Sequence, residues 1–227
     1  MSNNKSGEMM VRFWGVRGSI AVPGDETRQV GGNTSCVEVQ CGDARFILDA
    51  GTGIRGLGAA LSAEGVEETT LLLSHLHWDH IQGFPFFGPV YSSRHRLRVL
   101  GGGTPELGVR EALSLQMTPP TFPVLFDELP CSIESRTVRH GLSVSYDGVE
   151  IQCAKLNHPG GVMAYRLNYA GKSVVYATDT EHYGCVDPVL RRLAMNADVL
   201  IYDSQYTPEE YCGDVGPART GWGHSTF

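Results

Sequence analysis

Residues 74–80 read Ser-His-Leu-His-Trp-Asp-His, and four of them, His75, His77, Asp79 and His80, carry side chains that ligate metal ions. Incidental histidines in a polar loop do not place four donors within six residues. The residues before them, Thr70-Leu71-Leu72-Leu73-Ser74, read as a short buried strand, so the donors fall where a strand gives way to a loop. In an extended segment His75 and His77 point the same way. Once the loop turns, Asp79 and His80 approach from another side. Imidazole nitrogen and carboxylate oxygen suit Zn²⁺, Mn²⁺ or Fe²⁺. Two histidines on one side and an Asp-His pair on the other suggest two adjacent ions rather than one.

Other chemistry-bearing residues are spread over the second half. Asn157-His158-Pro159-Gly160-Gly161 puts a histidine where a predicted strand ends in a turn, and Ala177-Thr178-Asp179-Thr180 puts a carboxylate at the end of another. Asp203 follows a strand predicted over 198–202, and His224-Ser225-Thr226 lies near the end of the chain.

The His-x-His-x-Asp-His run resembles the motif of the metallo-β-lactamase superfamily of hydrolases, and His158 before its Pro-Gly-Gly turn matches that superfamily's next ligand. Ala177-Thr178-Asp179-Thr180 and His224-Ser225-Thr226 resemble the Ala-x-Asp-Thr and His-Ser-Thr motifs of the ribonuclease-Z-like branch, which includes cyclic-phosphodiester hydrolases. Tyr202-Asp203-Ser204-Gln205 keeps only the acid of that branch's His-Glu-Ala-Thr motif. The resemblance runs from about Val11 to His224. It implies an α/β fold, a four-layer αββα sandwich of two mixed β-sheets with helices outside and ligands converging along one edge. Residue by residue, it implies that His75, His77 and His158 hold one metal, that Asp79 and His80 hold a second, and that Asp179 bridges both. The cofactor is then a pair of divalent ions, zinc first, with manganese or iron as alternatives. A hydroxide between the two ions would attack phosphorus in line. His224, oriented and kept protonated by Asp203, would give the leaving oxygen its proton, and Asp79 could also accept a proton while binding metal. The family's pattern continues past His-Ser-Thr into a helix and a strand that ends in one more ligand. The expected organisation is therefore a disordered tail over 1–8 and a single hydrolase domain over 9–227, short of that C-terminal helix and strand.

Composition narrows the partners. The chain has 227 residues, with 18 basic against 25 acidic side chains and a net charge of −7. That balance argues against a long grip on nucleic acid, which depends on Lys and Arg neutralising phosphates. No run of about 20 apolar residues predicts a membrane span. Residues 1–10 lack the apolar centre of a signal peptide. Six scattered cysteines without a Cys-x-x-Cys read as reduced thiols of a cytoplasmic protein.

The elements that must position these residues follow from patterning. Strands are predicted over 10–14, 36–40, 45–48, 97–100, 138–145, 149–156, 163–169 and 173–177. Hairpin turns are expected at Gly42-Asp43, Asp147-Gly148 and Ala170-Gly171. Helices are predicted over 54–64, from an N-cap at Thr104 to about Gln116 with Glu106 in the first turn, and over 187–195. Residues 117–129, with three prolines, form an irregular excursion suited to a rim or lid. Gly51, Gly53 and Gly56 mimic a dinucleotide fingerprint, but the next strand ends in Ser74-His75 instead of the acid that would hold a ribose. These glycines are expected to let the chain turn beneath the metal loop, with Asp49 bonding a metal-binding histidine from behind. Glycine-rich loops around Arg17 and Asn33 could bring those two residues to the mouth of the site, and His182 could touch substrate. His95 and His140 read as structural.

The leading expectation is a dinuclear-metal phosphodiesterase acting on a small phosphodiester, a cyclic nucleotide first, with no membrane and no extended nucleic acid as partners and a homodimer left open. A tRNA 3′-end endoribonuclease, as in ribonuclease Z, is the main alternative, but the family's long tRNA-binding arm has no counterpart in the sequence. A thioester or lactone hydrolase on the same fold is disfavoured by the His224 motif. A metal-binding sensor is disfavoured because structural zinc sites are usually closed by cysteines.

Overall fold

The computed structural model describes residues 7–103 and 107–227. Contacts divide the chain into two compact units, Met1–Thr137 and Val138–Phe227. Each unit is built on one mixed sheet with helices against it, the α/β class expected.

The first unit holds β1 (Met9–Gly15), β2 (Cys36–Cys41), β3 (Ala44–Leu48), β4 (Glu68–Leu73), β5 (Arg96–Gly101) and β6 (Ser132–Thr137), hydrogen-bonded in that order. β1, β2 and β3 form an antiparallel meander, and from β3 to β6 the pairs are parallel. Parallel neighbours need a crossover, and α1 (Ile54–Glu64) supplies it between β3 and β4. Its Ile54, Leu57 and Leu61, at helical spacing, are buried in one core with Ile47, Leu71 and Val99. Burying each of these side chains contributes about 1.5–3 kcal/mol. The one-turn helix α2 (Trp78–Ile81) follows β4, and α3 (Val109–Leu115) lies against β5 and β6. The β3–β4 register sets Leu48 opposite Leu72, so Asp49 emerges beside the residues that follow β4.

The second unit holds β7 (Ser143–Tyr146), β8 (Val149–Leu156), β9 (Val162–Tyr169), β10 (Lys172–Ala177) and β11 (Val199–Tyr202), in the order β11-β10-β9-β8-β7. Pairs from β7 to β10 are antiparallel, and β10 and β11 are parallel. The hairpins turn at Asp147-Gly148 (φ 52° and 76°) and Ala170-Gly171 (φ 48° and 78°), the doubly left-handed geometry that matches strand twist. The crossover is α4 (Pro188–Ala194), capped by the Asp187 carboxylate, which accepts from the Val189 and Leu190 amides. Its Leu190 packs with Leu156, Val162, Val175 and Ala177. A short α5 (Pro208–Cys212) is capped reciprocally by Thr207 and Glu210. Because β8, β10 and β11 run the same way, the residues after Leu156, Ala177 and Tyr202 share one edge of this sheet.

The structure differs from the sequence expectations in places. The strand expected over 138–145 begins only at Ser143, because Gly141, at φ +79°, bends the chain and gives its amide to the Cys153 carbonyl. β6 escapes the patterning because Ser132-Ile133-Glu134-Ser135-Arg136-Thr137 is an edge strand with one large apolar residue, held by backbone pairing to β5. Polar and charged edges of this kind discourage stray pairing. The N-cap expected at Thr104, with Glu106, lies outside the described residues; α3 is preceded by Gly108. Of the tail expected over 1–8, residues 1–6 also lie outside them, while the Glu8 carbonyl accepts from the Gly42 amide at 3.0 Å. Among the described residues no helix is long and apolar enough to cross a membrane.

Candidate metal centre

In the first unit the donors gather at the C-terminal ends of β3 and β4. Asp49 is fully buried and takes a left-handed conformation (φ 63°) as the chain leaves β3, a conformation aspartate tolerates better than most residues. Its Oδ1 accepts from the Ser74 amide at 2.7 Å. Its Oδ2 accepts from the Ser74 hydroxyl at 2.7 Å and faces His80 Nδ1 at 2.8 Å. A carboxylate only accepts, so His80 Nδ1 carries the hydrogen and Nε2 holds the ring's lone pair when neutral. The Ser74 hydroxyl gives its proton to Asp49, so its oxygen accepts from His75 Nδ1 at 3.0 Å, and His75 is fixed in the same tautomer. One carboxylate therefore sets two imidazoles with Nε2 as the donor atom, the outer-layer arrangement that metal-binding histidines use. Burial, with the Asp49 charge second, pushes the neighbouring Cys36 thiol up.

His77 ends the extended segment (ψ 149°), and α2 starts immediately after it. The His75 ring lies 4.4 Å from that of His77 and 4.3 Å from that of His80, between centroids. Asp79 Oδ2 accepts from the Ser19 amide at 2.8 Å and stands 3.4 Å from His80 Nε2. A carboxylate oxygen and an imidazole lone pair brought this close suit a shared cation. The glycines of the decoy fingerprint serve packing. A Cβ on Gly51 would lie 2.5 Å from the Asp79 carbonyl oxygen and 2.4 Å from Thr34 Oγ1.

In the second unit His158 follows β8. Its Nδ1 donates to the Gly223 carbonyl at 2.7 Å, which again leaves Nε2 as the donor atom, here 3.9 Å from Asp179 Oδ2. Asp179, like Asp49, is left-handed (φ 50°) just past a strand end. One ligand atom each from His158, Asp179 and His224 lies within 4.8 Å of the others. The β10–β11 register, Ala177 opposite Tyr202, sets Thr180 beside Asp203, whose Oδ2 accepts from the Thr180 amide at 3.0 Å and faces His224 Nδ1 at 2.8 Å. Tyr202 and Thr180 fix the following residue as well: the Ser225 hydroxyl meets the Tyr202 hydroxyl at 2.7 Å and donates to the Thr180 carbonyl.

These donor sets, imidazoles beside carboxylates with Nδ1 of His75, His80, His158 and His224 each held by a hydrogen-bond partner, fit divalent first-row ions. Within the first unit the structure gathers His75, His77, Asp79 and His80; within the second it gathers His158, Asp179, Asp203 and His224. Arg17 and Asn33, expected at the mouth, and His182, expected against substrate, have the following surroundings. Asn33 braces a loop, its amide donating to the Trp14 carbonyl and accepting from the Thr52 hydroxyl. Arg17 pairs through its backbone with Thr34 and exposes its side chain. His182 Nδ1 donates to the Tyr183 carbonyl, so Nε2 accepts from the Thr226 hydroxyl at 3.1 Å. His95 is buried against Thr69, as a structural histidine is expected to be. The sequence reading missed Ser74, the Ser19 amide and Glu181. Ser74 directly precedes the first ligand and Glu181 follows Asp179 by two, but neither residue type announces a role.

Residues 44–227 match the family described as Beta-lactamase superfamily domain. The ribonuclease Z of Mycobacterium sp. (strain KMS) is 26% identical over 202 residues, which cover 79% of this chain and 64% of that protein. The chain thus spans less than two thirds of the length of that curated relative. Among solved structures, the metallo-β-lactamase fold protein YhfI from Bacillus subtilis superposes with a TM-score of 0.68 at 20% identity, covering 92% of this chain and 76% of that one. A diphosphatase from the PhnP family gives 0.68 at 18% identity, covering 97% and 79%. With residues 44–227 matching the family model and a fold shared with these structures, this chain belongs to the β-lactamase superfamily.

Proposed function

We propose that the protein is a metal-dependent phosphodiesterase that hydrolyses a small phosphodiester, a cyclic nucleotide first. One observation carries this reading: His224, held by Asp203 through Nδ1 at 2.8 Å, stands beside the ligand pair His158 and Asp179. An imidazole so oriented is what an alkoxide leaving group requires, since it must be protonated as it departs. His75, His77, His158, Asp79, His80 and Asp179 are the residues that would hold the ions. When bound, two divalent ions, zinc first, would supply Lewis-acid stabilisation of the phosphoryl charge and activation of the attacking water. The chain's own residues do the rest. Asp49 fixes the tautomers of His75 and His80, Gly223 fixes that of His158, and Asp203 turns His224 so that its Nε2 delivers the proton. The six cysteines, all reduced, suit a cytoplasmic setting.

Endonucleolytic cleavage of tRNA 3′ ends is the second reading, favoured by relatives named ribonuclease Z. The net charge of −7 supports the small substrate instead. A hydrolysis screen with Zn²⁺ and Mn²⁺ decides between them. It offers 3′,5′- and 2′,3′-cyclic nucleotides, bis(p-nitrophenyl) phosphate, a chromogenic lactam and a precursor tRNA. Turnover of a cyclic nucleotide supports the reading; turnover of the tRNA or the lactam alone rejects it.

A further inference from the structure

Glu181 is fully buried, yet no part of the phosphodiester chemistry calls on it. Its Oε1 accepts from the Tyr211 hydroxyl and the Gly221 amide, each at 2.7 Å, and its Oε2 from the Gly223 amide at 2.8 Å. Burial pushes this carboxyl up, but the donors from Gly221, Tyr211 and Gly223 outweigh it and hold the group below its ordinary value. Tyr211, buried and bonded to that carboxylate, is pushed up to about 12. Both glycines it grips are left-handed, at φ 87°. Gly223 has no room for a side chain, since a Cβ there would lie 2.6 Å from His158 Nδ1 and 2.3 Å from Pro159 Cδ. The Gly223 carbonyl, on the far side of the residue whose amide Glu181 holds, takes the His158 Nδ1 hydrogen. The Glu181 backbone closes the circuit, its amide donating to the Asn157 carbonyl at 2.8 Å.

We infer that Glu181 is a positioning residue for the metal centre: it takes the place of a strand partner for the Gly221-Trp222-Gly223 loop, presents the Gly223 carbonyl to His158, and so fixes that ligand's tautomer and ring plane. A buried carboxylate suits this task because it accepts from three donors at once. Residue His224 follows Gly223 directly, so the same grip sets where the proton donor begins.

The inference rests on the proposed function only in taking His158 as a ligand, and its test involves no phosphodiester. In Glu181→Gln one oxygen becomes an amide that faces a backbone N–H, and the hold on Gly223 or on Gly221 is broken. Two quantities are read on the full chain: Zn²⁺ affinity by competition with a chromogenic chelator, and the His158 tautomer by ¹⁵N–¹H correlation of the metal-free protein. The wild type should show His158 protonated at Nδ1. The variant should show a mixture of tautomers and bind Zn²⁺ about 10- to 100-fold more weakly, the usual cost of losing an outer partner of a ligand. If Glu181→Gln fails to fold, Glu181→Asp, which keeps the charge but draws it back by one methylene, reads the same quantities. A folded variant with unchanged tautomer and affinity overturns the inference, as does a wild-type His158 protonated at Nε2. A wild type that turns over no phosphodiester overturns the proposed activity and leaves this result standing.

Discussion

Replacing Asp49 by asparagine should switch the donor atoms of two histidines at once. The side chain keeps its shape, and asparagine accepts the left-handed backbone (φ 63°) at little cost. With its carbonyl oxygen still accepting from the Ser74 amide, the new NH₂ stands where Oδ2 meets the Ser74 hydroxyl and His80 Nδ1 at 2.7 and 2.8 Å. To accept from it, His80 must move its hydrogen to Nε2. The Ser74 oxygen now accepts from the amide, so its proton turns to His75 Nδ1, and His75 moves its own hydrogen to Nε2. Both ligand nitrogens are then capped. One altered outer partner typically weakens metal binding about 10- to 100-fold, or about 1.4–2.8 kcal/mol. With two ligands affected the loss should reach the upper end of that range. The metal-free fold should lose less. Charge-assisted bonds become neutral ones, roughly 1 kcal/mol each, while relief of the buried charge offsets part of this. The assay pairs Zn²⁺ competition against a chelator with urea unfolding in chelator and ¹⁵N–¹H tautomer spectra. An Asp49→Asn protein with Zn²⁺ affinity within about twofold of wild type, and with His75 and His80 still protonated at Nδ1, would refute the relay.

Other outcomes follow from the same geometry. His224→Ala should leave metal content unchanged and slow hydrolysis of a substrate with a poor leaving group by about 10²- to 10⁴-fold. The loss should shrink for p-nitrophenolate esters, and an equal loss for both would assign His224 to phosphate or metal binding instead. Affinity for the true substrate should change little between low and moderate salt, because a small phosphodiester engages few charges; a steep salt slope would favour the nuclease reading. Thiol titration at pH 8 should find two reactive groups in the native protein, the exposed Cys185 and Cys212. The buried Cys36, Cys41, Cys131 and Cys153 should react only on unfolding, since burial pushes Cys41 up to about 12 and Cys131 to about 11. More than two native reactive thiols would show that this core opens.

The donor run was legible in the chain because residue types able to ligate metal are few, and four of them crowd between His75 and His80. Periodicity likewise placed α1, both hairpins of the second unit and the strand before the ligands, since alternation and turn residues are local properties. Asp49 could be suspected from its place after a strand. What it does could not, because its bonds to Ser74 and His80 depend on the parallel register that sets Leu48 opposite Leu72. The pairing of Asp203 with His224, 21 residues apart, depends in the same way on β11 lying parallel to β10. Glu181 carries no sequence signal, because a buried acid and an exposed one are the same letter; only the fold surrounds it with three donors. Residue type and spacing thus determined which atoms can bind metal. Tertiary structure decided which nitrogen of His75, His80 and His158 offers its lone pair, because that choice is made by Asp49 and by the Gly223 carbonyl, brought from distant parts of the chain.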